Sequence, residues 1–237
     1  MLVIPAVDIM GGEAVRLTKG EFDSKQIFHE DPAQAAMHWQ EQGAQRIHVV
    51  DLDGAREGRM RNFESVKKIV ENTAVEIQVG GGIRTLEDAE RVLKLKVKVV
   101  LGTSAVKNPA LVRELSRRYG SENVIAGLDT KGGEVVVEGW AKGTGQDVFT
   151  LACEMEKLGA GAIIFTCVER DGTLSGPDVE MVKRMVNSVE IPVIASGGVS
   201  SLDDLRRLKE TGAFAVIVGK ALYLEKFSFQ EAVEAAR

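Results

Sequence analysis

One phrase is written twice in this chain, as "VIPAVDIMGGEAV" from Val3 and as "VIAGLDTKGGEVV" from Val124. Asp8 and Asp129 hold the same place in it, each closing an apolar, β-branched run. An acid at such a place is either a turn-making or capping group or a functional carboxylate at a buried edge. Two carboxylates in separate environments can divide acid and base work when their pKa values are pushed apart. Glycines are doubled in the same way. Gly81 and Gly82 match Gly197 and Gly198, and Gly102–Thr103 matches Gly219–Lys220. Glycine lets backbone N–H groups close on an anion without a Cβ in the way. Tight strand-to-helix turns use glycine too, so one such loop says little. Two in matched positions point to two phosphate sites, hence to a substrate with a phosphate at each end. No Cys–His or Ser–His pairing stands out, and no cluster has metal-ligand spacing. Proton transfer without metal or cofactor is the simplest chemistry left, which points to isomerisation of a sugar-phosphate-like compound.

These residues need elements to hold them. Eight short apolar runs are legible: "MLVIPAVD", "RIHVVDL", "VEIQVGG", "VKVVLGT", "NVIAGLD", "AIIFTCV", "IPVIASGG" and "FAVIVGK". They are continuous rather than alternating, as in parallel strands buried on both faces. Helical stretches lie between them. Asp31–Pro32 and Asn108–Pro109 each read as a capping side chain before a first-turn proline, and Gly43, Gly120 and Gly212 as stops. Eight βα units in 237 residues predict an α/β fold, a single (β/α)8 TIM barrel over residues 1–237. A doubly wound open sheet is the competitor. The echo continues from "GGIRTLEDAER" at Gly81 to "GGVSSLDDLRR" at Gly197. Such self-similarity predicts two half-barrels, approximately 1–120 and 121–237. All the doubled groups then fall at the C-terminal ends of strands, where the active sites of these barrels lie.

Composition excludes other classes. The chain is 44% hydrophobic and 27% charged, with a net charge of −5 and no basic block, so nucleic acid is not an expected partner. The N-terminal run is broken by Asp8 and lacks a positive leader. No apolar run reaches the roughly 18 residues of a membrane span. Cys153 and Cys167 lack CxxC spacing and read as free thiols of a cytoplasmic protein.

The segments "IPAVDIMGGEAVRLTKG", "HVVDLDGA", "QVGGGIR", "GLDTKGGEVVVEGW", "DGTLSGPD", "ASGGVSSLDDL" and "VGKAL" together resemble one family across essentially the whole chain. It is that of the phosphoribosylformimino-aminoimidazole-carboxamide ribotide isomerases of histidine biosynthesis. The resemblance implies a cofactor-free Amadori rearrangement of an aminoaldose to an aminoketose, on a substrate with a phosphate at each end. It implies that Asp8 is the base that takes the proton from sugar C2. Asp129 would be the acid that protonates the ring oxygen, and Thr166 the hydroxyl that hydrogen-bonds near it. Arg16 and Arg84 resemble substrate contacts, and Trp140 an aromatic that closes over the base. Asp171 and Gly172 would join the second phosphate site. His48 shares the strand parity of Val50, which the repeat aligns with Thr166, so it should point into the barrel as a further substrate contact. Each of these has a plainer reading: a packed histidine, a solvated arginine, a surface-loop tryptophan. One departure stands out. The residue after the strand-six threonine is usually acidic in the family and here is Cys167, read as a neutral packing residue.

Three alternatives remain open. The cyclase subunit of imidazole-glycerol-phosphate synthase shares both aspartates, but "IPAVD" and "GEAVRL" favour the isomerase. A bifunctional isomerase would also accept phosphoribosyl-anthranilate; Gly80 in "QVGGGIR" looks more like the single-pathway form. A non-catalytic binding barrel would gain by losing negative charge from its mouth. A monomer is expected. The long loops "MGGEAVRLTKGEFDSKQIF" and "TKGGEVVVEGWAKGTGQ" are expected to close over the substrate.

Overall fold

Alternation of side chains along each strand sorts the apolar residues into two cores. The structure, a computed structural model, describes residues 1–18 and 21–237; Lys19 and Gly20 of the first long loop lie outside the described residues. The barrel strands, numbered here alone, are β1 (Leu2–Met10), β2 (Arg46–Asp51), β3 (Glu76–Gly80), β4 (Lys98–Leu101), β5 (Val124–Lys131), β6 (Ala162–Cys167), β7 (Val193–Ser196) and β8 (Ala215–Val218). Each pairs in parallel with its neighbours. β8 returns to β1 through Ile4–Ile217, which closes the ring and excludes the open doubly wound sheet. Val3, Val7 and Ile9 of β1 face outward into the layer between strands and helices. Ile4 and Ala6 face inward, with Val100, Ile125, Ile164, Ile194 and Ile217. Burial of each such side chain contributes about 1.5–3 kcal/mol before the entropy of ordering it is charged. At the N-terminal end, Glu76 pairs with Arg46 and, at 3.1 Å, with Lys98, so charges close the floor of the barrel.

Helix boundaries follow the expected punctuation with one exception. Asp31 accepts from the Ala33 N–H and caps Pro32–Glu41, whereas Asn108 makes no side-chain cap to Pro109–Tyr119. Asn108 already ends the five-residue helix Thr103–Lys107, its N–H donating to the Ser104 carbonyl, and this sets its backbone outside the usual capping conformation. Capping boxes recur at matched places. Thr85 with Asp88 opens Leu86–Leu93, and Ser201 with Asp204 opens Leu202–Glu210.

The long loops after β1 and β5 are not irregular. β1 continues into an antiparallel pairing, Asp8 opposite Val15, and Glu13–Thr18 pairs in turn with Glu21–His29. β5 does the same, Asp129 opposite Val136, and Glu134–Val137 pairs with Lys142–Asp147. A matched hydrogen bond ties each hairpin tip to the segment after the next strand, and the first tip has a second one, from Gly12 N–H to Asn62 Oδ1 at 3.1 Å. Gly11 N–H donates to Asp53 Oδ2 at 2.7 Å, and Gly132 N–H donates to Glu169 Oε2 at 3.1 Å. The Gly11 and Gly132 contacts occupy matched positions in the two halves of the chain.

Candidate active site

Inward positions at the C-terminal ends of the strands carry a polar group or no side chain, except for Val50 of β2. Asp8, Asp129, Thr166 and Ser196 are the polar groups; Gly80, Gly102, Gly127 and Gly219 leave the centre hollow. The result is a cavity of about 250 Å³. Every site residue singled out in the sequence lines it: Asp8, Arg16, His48, Gly81, Gly82, Arg84, Gly102, Thr103, Asp129, Trp140, Thr166, Asp171, Gly172, Gly197, Gly198, Gly219 and Lys220.

The two aspartates sit in different surroundings. Asp8 is register partner to Val50 of β2, as Asp129 is to Thr166 of β6. Arg16, on the returning strand of the first hairpin, forms an ion pair with Asp8. Its guanidinium also donates to the Ala6 carbonyl at 3.2 Å and lies over the Tyr223 ring. Tyr223 is fixed in turn by bonds to Ala6 and Trp39. Gly219 is glycine here for a direct reason: a Cβ would lie 2.1 Å from an Arg16 nitrogen. Burial pushes the Asp129 carboxyl above the usual range, partly opposed by hydrogen bonds from Trp140 and Thr166. The Trp140 indole N–H donates to Asp129 Oδ2 at 2.8 Å.

Trp140 is brought there by a strained turn. Glu138, Gly139 and Trp140 have φ of 59°, 64° and 71°, and each non-glycine residue in that region costs about 1 kcal/mol. The turn is held by the Glu138 N–H donating to Thr103 Oγ1 at 2.9 Å and by a Lys107–Glu138 ion pair. Strain held by site contacts is common at working loops. Thr103 thus anchors the loop as well as lining the cavity.

The paired glycines have a structural duty of their own. Gly82 has φ of +77°, and a Cβ on it would lie 2.5 Å from the Arg59 carbonyl carbon. Close approach of the loop after β2 is reason enough for glycine there, so the anion-binding reading rests on where the loops stand rather than on glycine itself. Gly102 and Gly219 precede the helical turns Thr103–Lys107 and Lys220–Tyr223 with nearly the same backbone angles, φ −90°, ψ −100° and φ −110°, ψ −101°. The two loops thus present backbone N–H groups to the cavity in matching geometry.

Asp171 lies within electrostatic reach of both Asp8 and Asp129. Burial raises its carboxyl to about 6, against the charges of Arg16 and Lys220 and with those of Asp8 and Asp129. The folded chain therefore keeps a proton on Asp171 that the unfolded chain releases near 3.8. Stability from this group is full below that pH and is lost as pH rises through about 6. Asp171→Asn should accordingly raise unfolding free energy by about 1–3 kcal/mol at pH 8 and by much less at pH 4.5. Urea unfolding at both pH values checks this; an equal gain at the two would sink it.

Some participants were missed in the sequence. Gln78 is fully buried inside β3, beside His48; its signal was a polar residue interrupting "VEIQVGG". Tyr223 and Asp53 gave no signal beyond their residue type. Cys167 is buried, and burial with the nearby Asp178 charge pushes its thiol up to about 12, which fits the neutral packing role.

A family model described as histidine biosynthesis protein matches residues 2–228. A protein of Thermoanaerobacter pseudethanolicus is 45% identical over the full length of both chains. One of Methanosarcina barkeri is 47% identical, covering 98% of this chain and 96% of the relative. Both are named 1-(5-phosphoribosyl)-5-((5-phosphoribosylamino)methylideneamino) imidazole-4-carboxamide isomerase. With the closed barrel and the two-aspartate cavity, these likenesses show that the chain belongs to the histidine biosynthesis protein family and, within it, to the isomerases.

Proposed function

We propose that this chain converts the bis-phosphorylated aminoaldose ribotide (ProFAR) to its aminoketose (PRFAR) in histidine biosynthesis, with Asp8 as base and Asp129 as acid. One observation carries the reading: two carboxylates on β1 and β5 face one cavity in opposite electrostatic settings. Asp8 is ion-paired to Arg16, whereas Asp129 is buried and biased towards its protonated form. Asp129 gives its proton to the ring oxygen as the bond from that oxygen to C1 breaks, leaving a C1–N double bond. Asp8 takes the proton from C2, and the electron pair moves to form the enolamine. Tautomerisation puts the carbonyl on C2 and a proton on C1. Atoms and electrons balance without an oxidant, so no cofactor is required.

Gly81, Gly82, Gly102 and Thr103 hold one phosphate, and Gly172, Gly197, Gly198, Gly219 and Lys220 hold the other. His48 and Arg84 contact the sugar and its near end, and Trp140 closes over the imidazole. Cys153 and Cys167 are free, which fits a cytoplasmic setting, and no described helix is long and apolar enough to cross a membrane.

A second assignment of the acid is favoured by one observation, the raised carboxyl of Asp171 near Asp8 and Asp129. The two readings part on variants. If Asp129 is the acid, Asp129→Asn removes the ring-opening step and Asp171→Asn mainly weakens binding; the reverse pattern assigns the acid to Asp171.

The test is turnover by the purified chain, alone, on the aminoaldose and on phosphoribosyl-anthranilate. Turnover of the first only is expected. Turnover of both would assign the bifunctional activity. Turnover of neither, with consumption of the aminoketose when ammonia is supplied, would assign the cyclase reaction instead.

A further inference from the structure

Gln78 is the one glutamine inside the barrel among the described residues, and it is 0% exposed. Its Nε2 lies 3.0 Å from His48 Nδ1. Its Oε1 is buried without a hydrogen-bond partner. Leaving such an oxygen unpaired is costly, and a leucine would fill the space without that penalty. The register places both residues on the cavity side, His48 opposite Ala6 on β1 and Gln78 on β3. His48 lines the cavity and Gln78 stands behind it.

An amide nitrogen can only donate, so the shared bond requires His48 Nδ1 to be the acceptor. As placed, the amide leaves Oε1 and one Nε2–H unpaired; turned end for end it would leave both N–H groups unpaired. The other ring nitrogen, Nε2, then carries the proton. Burial and the Arg16 charge hold the imidazole at about 3, so it is neutral at physiological pH.

We propose that Gln78 is a positioning residue: its carboxamide fixes His48 in the Nε2–H tautomer, so that a neutral donor faces the substrate oxygens beside Asp8. This rests on the isomerase reading for what His48 touches, but not for the tautomer. A neutral N–H can stabilise the developing enolamine oxygen without adding a second full charge next to Arg16.

The test has two arms. Nitrogen-15 spectra of the parent chain, with His48→Leu to identify the signals, should show His48 protonated on Nε2 alone. In Gln78→Glu the proton should appear on Nδ1, drawn there by the carboxylate. A parent His48 protonated on Nδ1 overturns the proposal. In kinetics, Gln78→Leu should lower kcat about tenfold, the worth of one neutral hydrogen bond, with KM changed less than about threefold. In a His48→Leu background the same substitution should add no further loss. A tenfold loss that persists there, or no loss in either background, overturns the positioning role. Should the parent chain fail to turn over the aminoaldose, the isomerase reading falls, while the spectra still decide the tautomer.

Discussion

Asp8→Asn is expected to lower kcat on the aminoaldose by about 10³-fold while the chain stays folded, because on the proposed mechanism the base at sugar C2 is lost. Asparagine keeps the shape and one oxygen towards Arg16, so the guanidinium retains a hydrogen bond but loses its ion pair. Binding should not suffer. Removing a negative charge from a mouth proposed to receive two phosphates would favour the ligand, so KM should stay within about threefold or fall. Asp8 also helps to raise the Asp171 carboxyl, and Asp8→Asn should draw that group down from about 6. Asp129→Asn is expected to cost about 10²–10³-fold in kcat, with the Trp140 indole still able to donate to the amide oxygen. Steady-state turnover with parallel binding of the aminoketose product separates the two effects. A kcat within tenfold of the parent for Asp8→Asn would remove it as the base. A fall confined to affinity would turn the cavity into a binding site.

The barrel was legible because periodicity survives without tertiary knowledge. Continuous apolar runs such as "AIIFTCV" read as strands buried on both faces, and their number pointed to the barrel, although only the β8–β1 pairing excludes the open sheet. The mouth was legible because the chain repeats itself: Asp8 with Asp129 and Gly81 with Gly197 would each be weak alone. What did not show was anything that depends on two segments meeting. The Arg16–Asp8 ion pair arises because the loop after β1 is a hairpin, and a loop reading of "GGEAVRLT" could not bring residue 16 back over residue 8. Asp171 looked like a phosphate-loop residue, since its distance from both aspartates is set by the turn after β6 rather than by any spacing in the sequence. Gln78 was passed over because a single polar residue in a strand is usually an edge or a floor group, and its partner is on another strand.

Asp51→Ala is expected to cost about 3–5 kcal/mol in unfolding free energy, the largest stability loss outside the apolar core. The residue is 0% exposed and closes β2, yet it faces away from the cavity. Its carboxylate accepts from Gly54 N–H at 2.8 Å, Arg61 N–H at 2.6 Å, and Asn62 N–H and Nδ2–H at 2.8 and 2.7 Å. Four donors would lose their acceptor at once, three of them backbone N–H groups, of which that of Gly54 is buried and those of Arg61 and Asn62 partly buried. Asn62 also receives the Gly12 N–H at 3.1 Å and donates to Asp53, so the tip of the first hairpin should loosen with it. The repeat supplies the control. The position matching Asp51 in the second half is Cys167, and that matching Asn62 is Asp178. There the thiol lies near a carboxylate that already caps Val179–Val186, so an acid at 167 would meet Asp178 instead of a donor. Cys167→Ala should therefore cost only about 1 kcal/mol. Cys167→Asp should destabilise, and Asp178→Asn beside it should recover most of that loss, because asparagine restores the donor that Asn62 offers in the first half. Urea unfolding of these four variants and of Asp178→Asn alone, at one pH near 7, reads all of this. Equal losses for Asp51→Ala and Cys167→Ala would mean that the Asp51 bonds contribute little, and an additive Cys167→Asp, Asp178→Asn pair would mean that the two positions do not meet.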